Sequence, residues 1–372
     1  MNEIDFPGTF EQALSSDLIL PGSRLLLRAG TYSADYINQL SDVTIQPYPG
    51  EHVIIDGSLL VRGSGVTFRD LEIAFSGWTT RASSQIGSHP TDIPDKQLRI
   101  IAPCKFVNCM IHDLSQVGLW LEALGSEMYG CIIYHIGWDA PDRGHGHGLY
   151  TQNDAQTKTI KDCIIFDVFS FGIHAYTENS KINNYVFDGC VCFNAASLAN
   201  GTDRNILVGG YQVAQNITVK NCMTFGSAIV NIGYNAGANN VTLTDNYFPG
   251  GIMKVKLINL AESGNYYGLK TGNRVFLRPN QYDPMRAKLV IYNEAQTNEI
   301  EVDVSAIYAN GTQIQARNVQ DYFSDIQTLT VIAGKITVNM QAINRTVATP
   351  IGWTAPATTF PTFGCMVLEK VT

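Results

Sequence analysis

Residues 142–153 read DRGHGHGLYTQN: two histidines, three glycines, an acidic and a basic residue and a tyrosine within a dozen positions. Histidine takes and returns a proton near neutral pH, so His145 or His147 is a candidate general base, with the other imidazole or Tyr150 as the acid. Gly144, Gly146 and Gly148 alternate with the imidazoles, which predicts a backbone that bends sharply, approaches a ligand and projects both rings to one side. Arg143, and Arg204 further along, are candidates to neutralise a substrate carboxylate. The same residues admit two other readings: a turn whose histidines bond backbone carbonyls, or an H-x-H chelate. In the chelate, His145 and His147 would take Asp142, Asp139 or His174 as third ligand. No cofactor is predicted, and a divalent metal is the one option the spacing leaves open.

Something must position these groups. With 45% hydrophobic and 16% charged residues, a chain of 372 can bury a large core as one elongated domain or two compact ones. A formal net charge of -8 argues against a nucleic-acid partner, which requires a basic face. No apolar run approaches the roughly 18 residues needed to cross a bilayer. The start, MNEIDFPGTF, lacks a secretory pattern, which leaves the compartment open between the cytoplasm and export after removal of a leader.

The cysteines mark the organisation. FVNCMIHD, MYGCIIYH, IKDCIIFD, FDGCVCFN and VKNCMTFG put Cys109, Cys131, Cys163, Cys190 and Cys222 in one context, and LTDNYFPG continues the series at Asn246. Asn, Gly or Asp, which tolerate a left-handed turn, precede each mark, and His112, Tyr134, Phe166, Phe193 or Phe225 follows three residues later. No C-x-x-C occurs, so reduced, buried thiols are expected rather than a zinc site or disulfides. Spacings of 22, 32, 27 and 32 residues between short β segments predict a solenoid in which each coil buries its inner face on its neighbours. The step from Cys131 to Cys163 is ten residues longer than the one before it, so DRGHGHG is a loop leaving a rigid scaffold. Five of the seven histidines (His112, His135, His145, His147 and His174) crowd into these coils, with His112 and His135 read as stacking residues.

A second repeated strand, GLWLE, GLYTQ, GIHAY and more loosely NILVG and AIVNI, follows the same period. Alternation points Leu119, Leu149, Ile173, Ile206 and Ile229 inward, together with Leu121, Thr151, Ala175, Val208 and Asn231. Trp120, Tyr150, His174, Leu207 and Val230 then form one outward ladder, and Glu122, Gln152, Tyr176, Gly209 and Ile232 the next. Trp120, Tyr150, Tyr176, Tyr211 and Tyr234 make an outward aromatic series across five coils, suited to stacking on sugar rings. Glu122, Gln152 and Arg204 add polar contacts to that surface.

GTFEQALSSDLILPGSRLLLRAGTY, VTIQPYPGEHVIIDG and LLVRGSGVTFRDLEI resemble the N-terminal coils of right-handed parallel β-helix proteins of the pectate-lyase-like superfamily, over roughly residues 6–270. The resemblance implies an all-β chain, a polysaccharide or oligosaccharide partner and a substrate on the outward face of the first sheet. The superfamily holds lyases, hydrolases, epimerases and tailspikes. β-Elimination or epimerisation of an acidic polysaccharide by His145, His147, His174, Tyr150 and Arg143 leads. The alternatives are hydrolysis by paired carboxylates, drawn from Glu122, Asp139, Asp142, Asp154 and Glu178, and a non-catalytic adhesin or tailspike-like glycan binder. The chain departs from the superfamily's acidic calcium sites, its aspartate cluster and its lysine base.

The pattern changes near residue 270. RVFLRPNQY, AKLVIYN, EIEVDVSAIY, TLTVIAGKITVNM and FGCMVLEK alternate between turn signals, which predicts a compact antiparallel β-sandwich over 271–372 after a β-helix over 1–270. With one cysteine and no histidine it is assigned no chemistry; capping the solenoid is its expected task, with sugar binding as the minor alternative. Five Asn-x-Thr triplets, Asn216-Ile217-Thr218 among them, are read as incidental to strands and turns.

Overall fold

The computed structural model describes residues 8–115, 118–199, 201, 203–268 and 271–371. The chain divides into two units, Met1–Gly268 and Leu269–Thr372. In the first, three parallel sheets of ten, ten and nine strands run side by side. Successive strands go to sheet A, sheet B and sheet C in turn: Arg24–Leu27, Gly30–Ser33 and Tyr36–Asn38 make the first coil, and each later coil stacks on the one before. The first unit is a right-handed parallel β-helix.

Left-handed residues turn the chain from sheet A to sheet B. Asn108, Asp162 and Asn221 have φ near 54°, and Gly130 and Gly189 have φ of 62° and 68°, at the positions before Cys109, Cys131, Cys163, Cys190 and Cys222. A left-handed conformation costs most residues roughly 1–2 kcal/mol, so only Gly and Asn or Asp recur there. The thiols behind them are buried and free. They stack through the lumen, their sulfurs turned to backbone carbonyls such as Cys131 to Phe106 at 3.6 Å. Three residues on, the rings of His112, Tyr134, Phe166 and Phe193 stack at centroid distances of 4.6, 5.2 and 4.9 Å.

A second ladder runs along sheet A, where Asn184, Asn216 and Asn240 have φ of 56–57° and Asn259 of 51°. Asn216 Nδ2 donates to Asn184 Oδ1 at 2.8 Å, and Asn240 Nδ2 to Asn216 Oδ1 at 3.0 Å. This is the structural use of two Asn-x-Thr triplets, those at Asn216 and Asn240. Asn216→Ala removes the side chain that tolerates the turn and both amide bonds, so we expect a loss of about 1–2 kcal/mol, read from the urea midpoint.

The predicted inward residues of four sheet C strands, including Leu119, Leu149, Ile173, Ile206, Leu121, Thr151, Ala175 and Val208, are all buried. The fifth strand departs. Ile206 pairs with Val230, Leu207 with Asn231 and Val208 with Ile232, one residue off the predicted register. Val230 and Ile232 therefore fill the lumen, and Asn231 takes the outward row with Leu207. The predicted register would have put an amide in an apolar lumen and two β-branched side chains outside it. A bulge follows, where Gly209 pairs with Tyr234.

The second unit has a five-stranded antiparallel sheet (Arg274–Pro279, Arg286–Tyr292, Phe363–Lys370, Gln313–Asn318, Ile326–Thr330) and a two-stranded one (Glu299–Asp303, Lys335–Asn339) that share a core. One detail differs from the sequence reading: QIQARN is a further strand. The turn-like AGK segment divides TLTVIAGKITVNM into two strands, which belong to different sheets.

Candidate functional site

The outward row of sheet C runs Leu60, Arg99, Trp120, Tyr150, His174, Leu207, Asn231, Met253, each residue paired with the next across adjacent strands. Arg99 lies 4.4 Å from the Trp120 ring centroid, and its Nε donates to Glu122 at 2.6 Å. Trp120 and Tyr150 are 6.0 Å apart, Tyr150 and His174 5.4 Å. His174 is stacked between Phe171 (4.2 Å, 6°) and Tyr176 (4.8 Å, 2°), and Tyr176 meets Tyr211 at 6.3 Å and Tyr234 at 6.0 Å. One unbroken surface of rings extends from Trp120 to Tyr234. Its far end is the most open, Tyr211 being 59% and Tyr234 38% exposed.

His147 joins this surface through a bulge. Gly118 pairs with His147 and Trp120 with Tyr150, so one strand carries an extra residue. Strict alternation would send His147 to the same side as Leu149. The bulge turns its ring onto the outer face, 4.3 Å from His174, 5.6 Å from Tyr150 and 5.4 Å from Phe171.

His145 goes elsewhere, which corrects the expectation that both loop imidazoles emerge together. Trp138–Asp139 and Gly144–His145 form a small antiparallel hairpin. There His145 stacks on Trp138 at 5.1 Å, and its Nε2 lies 3.1 Å from Asp142. The glycines serve packing rather than access: a Cβ on Gly144 would lie 1.9 Å from the Phe169 carbonyl oxygen, and one on Gly148 2.4 Å from the Ile165 side chain. Only Gly146, at φ 87°, is a true turn glycine of the three. Asp142 faces His145 while His147 faces the sheet C rings, so the structure does not bring these three residues of the H-x-H reading to one point. Among the described residues no group of three or more His, Cys, Asp or Glu is placed to hold an ion.

Electrostatics distinguish the groups. Burial, with the charge of nearby Arg143, pushes His174 down to about 3, and burial, His174 and Arg143 hold His147 well below the ordinary imidazole value. Both rings are neutral, and the Nδ1 of each is buried with no hydrogen-bond partner among the described residues. Burial, then the carboxylates of Glu178 and Glu122, pushes Tyr150 up to about 12, so its phenol stays protonated. Arg143 itself is exposed and donates to the Gly144 carbonyl at 3.1 Å. Gln152 and Arg204 are half-buried. Glu122 is paired with Arg99.

Three contributors escaped the sequence reading. Phe171 and Arg99 border the rings, as does Glu178, which the sequence had offered only as a candidate carboxylate for hydrolysis; extending the alternation upstream to QLRII would have placed Arg99 above Trp120. The third is an ionic network beneath the long connection between Glu72–Ala74 and Leu98–Ile100. Glu72 bonds His52 at 2.7 Å and His112 at 3.0 Å, His112 bonds Asp113 at 2.8 Å, and Asp113 pairs with Arg81. Arg81 also donates to the carbonyls of His135 and Gly137 and sits 4.1 Å from the Trp78 ring centroid. Asp139 and segment 81–83 then exchange backbone bonds at 2.8 Å, tying this connection to the histidine hairpin.

No protein-family model matches the chain. No curated protein matches it either. Solved structures do. The pectate lyase Pel9A is similar at 14% identity and a TM-score of 0.44, over 70% of this chain and 73% of that one. The tailspike gp49 of Acinetobacter baumannii bacteriophage Fri1, a capsular polysaccharide depolymerase, matches at 10% identity and 0.34, over 94% and 79%. A mannuronic-acid-specific polysaccharide family 6 lyase from human gut microbiota matches at 12% and 0.29, over 68% and 79%.

Proposed function

We propose that the outer face of sheet C binds an acidic polysaccharide and cleaves it by β-elimination. The observation that carries this is the unbroken ring surface from Trp120 to Tyr234, which includes two neutral imidazoles and is overlooked by the Arg143 charge. Sugar faces stack on aromatic rings, and a ribbon with coils about 4.8 Å apart suits a polymer better than a compact metabolite.

In the proposed step Arg143 offsets the uronate carboxylate, and the neutral His174, with His147 against it, accepts the C5 proton. The C5–H electrons form the C4=C5 bond, the C4–O bond breaks, and the leaving oxygen takes the proton of Tyr150. Water then returns the proton balance between His174 and the tyrosinate. A substrate anion entering beside the imidazoles raises their basicity, because opposite charge favours the protonated form. The burial of both imidazoles favours a second reading, binding without cleavage.

A panel of uronic-acid and neutral polysaccharides separates the readings, followed by absorbance of unsaturated ends and, separately, by new reducing ends. Unsaturated products from a uronic-acid polymer are expected. Reducing ends without unsaturation would point to hydrolysis, and binding alone to a glycan-binding protein. On either glycan reading, Trp120→Ala and Tyr176→Ala should each weaken polysaccharide affinity about tenfold or more by titration calorimetry, as removal of a central aromatic anchor does.

A further inference from the structure

Directly beneath the ring surface the lumen contains a polar knot that neither the fold nor the proposed chemistry requires. One inward position of sheet A reads Val66, Cys104, Ser126, Lys158, Tyr185, Ile217 and Val241 in successive coils. It is apolar at both ends and polar in the coils behind Trp120, Tyr150 and His174. Lys158 is fully buried, and its Nζ donates to the Leu121 carbonyl at 2.8 Å, the Gln152 carbonyl at 2.6 Å and Thr151 Oγ1 at 3.2 Å. Thr151 Oγ1 in turn donates to the Leu121 carbonyl at 3.1 Å and lies 2.9 Å from the Tyr185 hydroxyl.

We infer that Lys158 is a positioning residue for the outer face: it ties the ends of strands Gly118–Leu121 and His147–Thr151 together from inside, so that Trp120 and Glu122 share one surface with Tyr150 and Gln152. An ammonium has three N–H donors, and here all three are directed to these two strand ends. The Leu121 carbonyl immediately precedes Glu122, and the Gln152 carbonyl belongs to a candidate binding residue. Burying a cation costs several kcal/mol that an aliphatic side chain would not, so stability alone gives no reason for a lysine here. Burial pushes it down to about 7, while Glu122 and Cys104 favour its charged form.

The inference rests on the proposed function only for its consequence, and the test separates the two. Lys158→Met fills the same space without donors. Hydrogen exchange measured by mass spectrometry should show faster exchange over residues 121–125 and 152–156, with the remaining coils unchanged and the melting temperature kept within a few degrees. Affinity for the polysaccharide that the wild type binds should fall about tenfold, and Lys158→Gln, which keeps a donor, should recover part of both effects. Unchanged exchange in those segments, or unchanged affinity in a variant with altered exchange, overturns the positioning role. If Lys158→Met fails to fold, Lys158→Gln decides by the same two readouts. If the wild type binds no polysaccharide, the proposed function fails and the exchange result still judges the knot.

Discussion

Tyr150→Phe should lower turnover of an acidic polysaccharide by about 10²–10⁴-fold while leaving affinity within a factor of two or three. The substitution keeps the ring that meets Trp120, His147 and His174 and deletes only the hydroxyl assigned to the leaving oxygen. Loss of a positioned acid is worth that much in rate, whereas a surface hydroxyl contributes little to binding. The check is a pair of measurements, kcat from unsaturated-end absorbance and affinity from calorimetry. Turnover within fivefold of wild type would remove Tyr150 from the chemistry. The pH profile adds an independent test. Because burial pushes His174 down to about 3, the acid limb of kcat/KM should lie well below 6.5, the ordinary imidazole value. A limb at 6.5 or above would assign the base elsewhere.

The imidazole contributions to stability should peak near pH 6.5 and fall on both sides for different reasons, while Lys158, pushed down to about 7 by burial, adds stability as pH rises above 7 and offsets part of the alkaline loss. Burial lowers His112, but the hydrogen bonds it donates to Asp113 and Glu72 outweigh this and push it up to about 9. Its stabilisation is therefore complete below the unfolded value of 6.5 and is lost as pH rises through 9, roughly 3 kcal/mol in all. His147 and His174 act in the opposite sense. Their folded forms stay neutral, so below 6.5 the unfolded chain gains protons that the folded chain does not, and stability falls with pH. Glu72 and Asp113, both held below the usual carboxylate range, add to the acid loss once pH drops under about 4. Asp113→Asn should cost about 3–5 kcal/mol, because it leaves Arg81 and His112 buried with one counter-charge fewer. It should also flatten the alkaline limb. Urea midpoints from pH 4 to 10 for both proteins test this, and an alkaline limb of unchanged depth in the variant would refute the network's role.

Much of the scaffold was legible in the residues. The left-handed positions were marked by Asn108, Gly130, Asp162, Gly189 and Asn221, because few residue types tolerate that backbone. The lumen was marked by Leu119, Leu149, Ile173 and Ile206, because a period-two alternation on a two-dozen-residue repeat has one consistent solution. The candidate site was legible in part. Trp120, Tyr150, His174 and Tyr176 were assigned to the outer face from alternation, and their rings meet there. His147 was picked by type, yet it reaches that face only through a bulge. Asn231 was misplaced because an added or skipped residue inverts every face that follows it, and His145 because it pairs in a separate hairpin that the turn at Gly146 divides from His147; local spacing reveals neither.

By itself, then, the sequence determined the winding of the first unit, its stacked thiols and rings and the side of the sheet on which the aromatic series lies. These follow from local rules of turn tolerance and alternation, repeated coil after coil. The tertiary structure alone decided that His147 and His145 part company, that Arg81 reaches Asp113 across 32 positions, and that Lys158 meets two strand ends of another sheet. Those pairings join residues distant in the chain, and burial selects among them by which polar groups it leaves satisfied, a condition that no short stretch of sequence encodes.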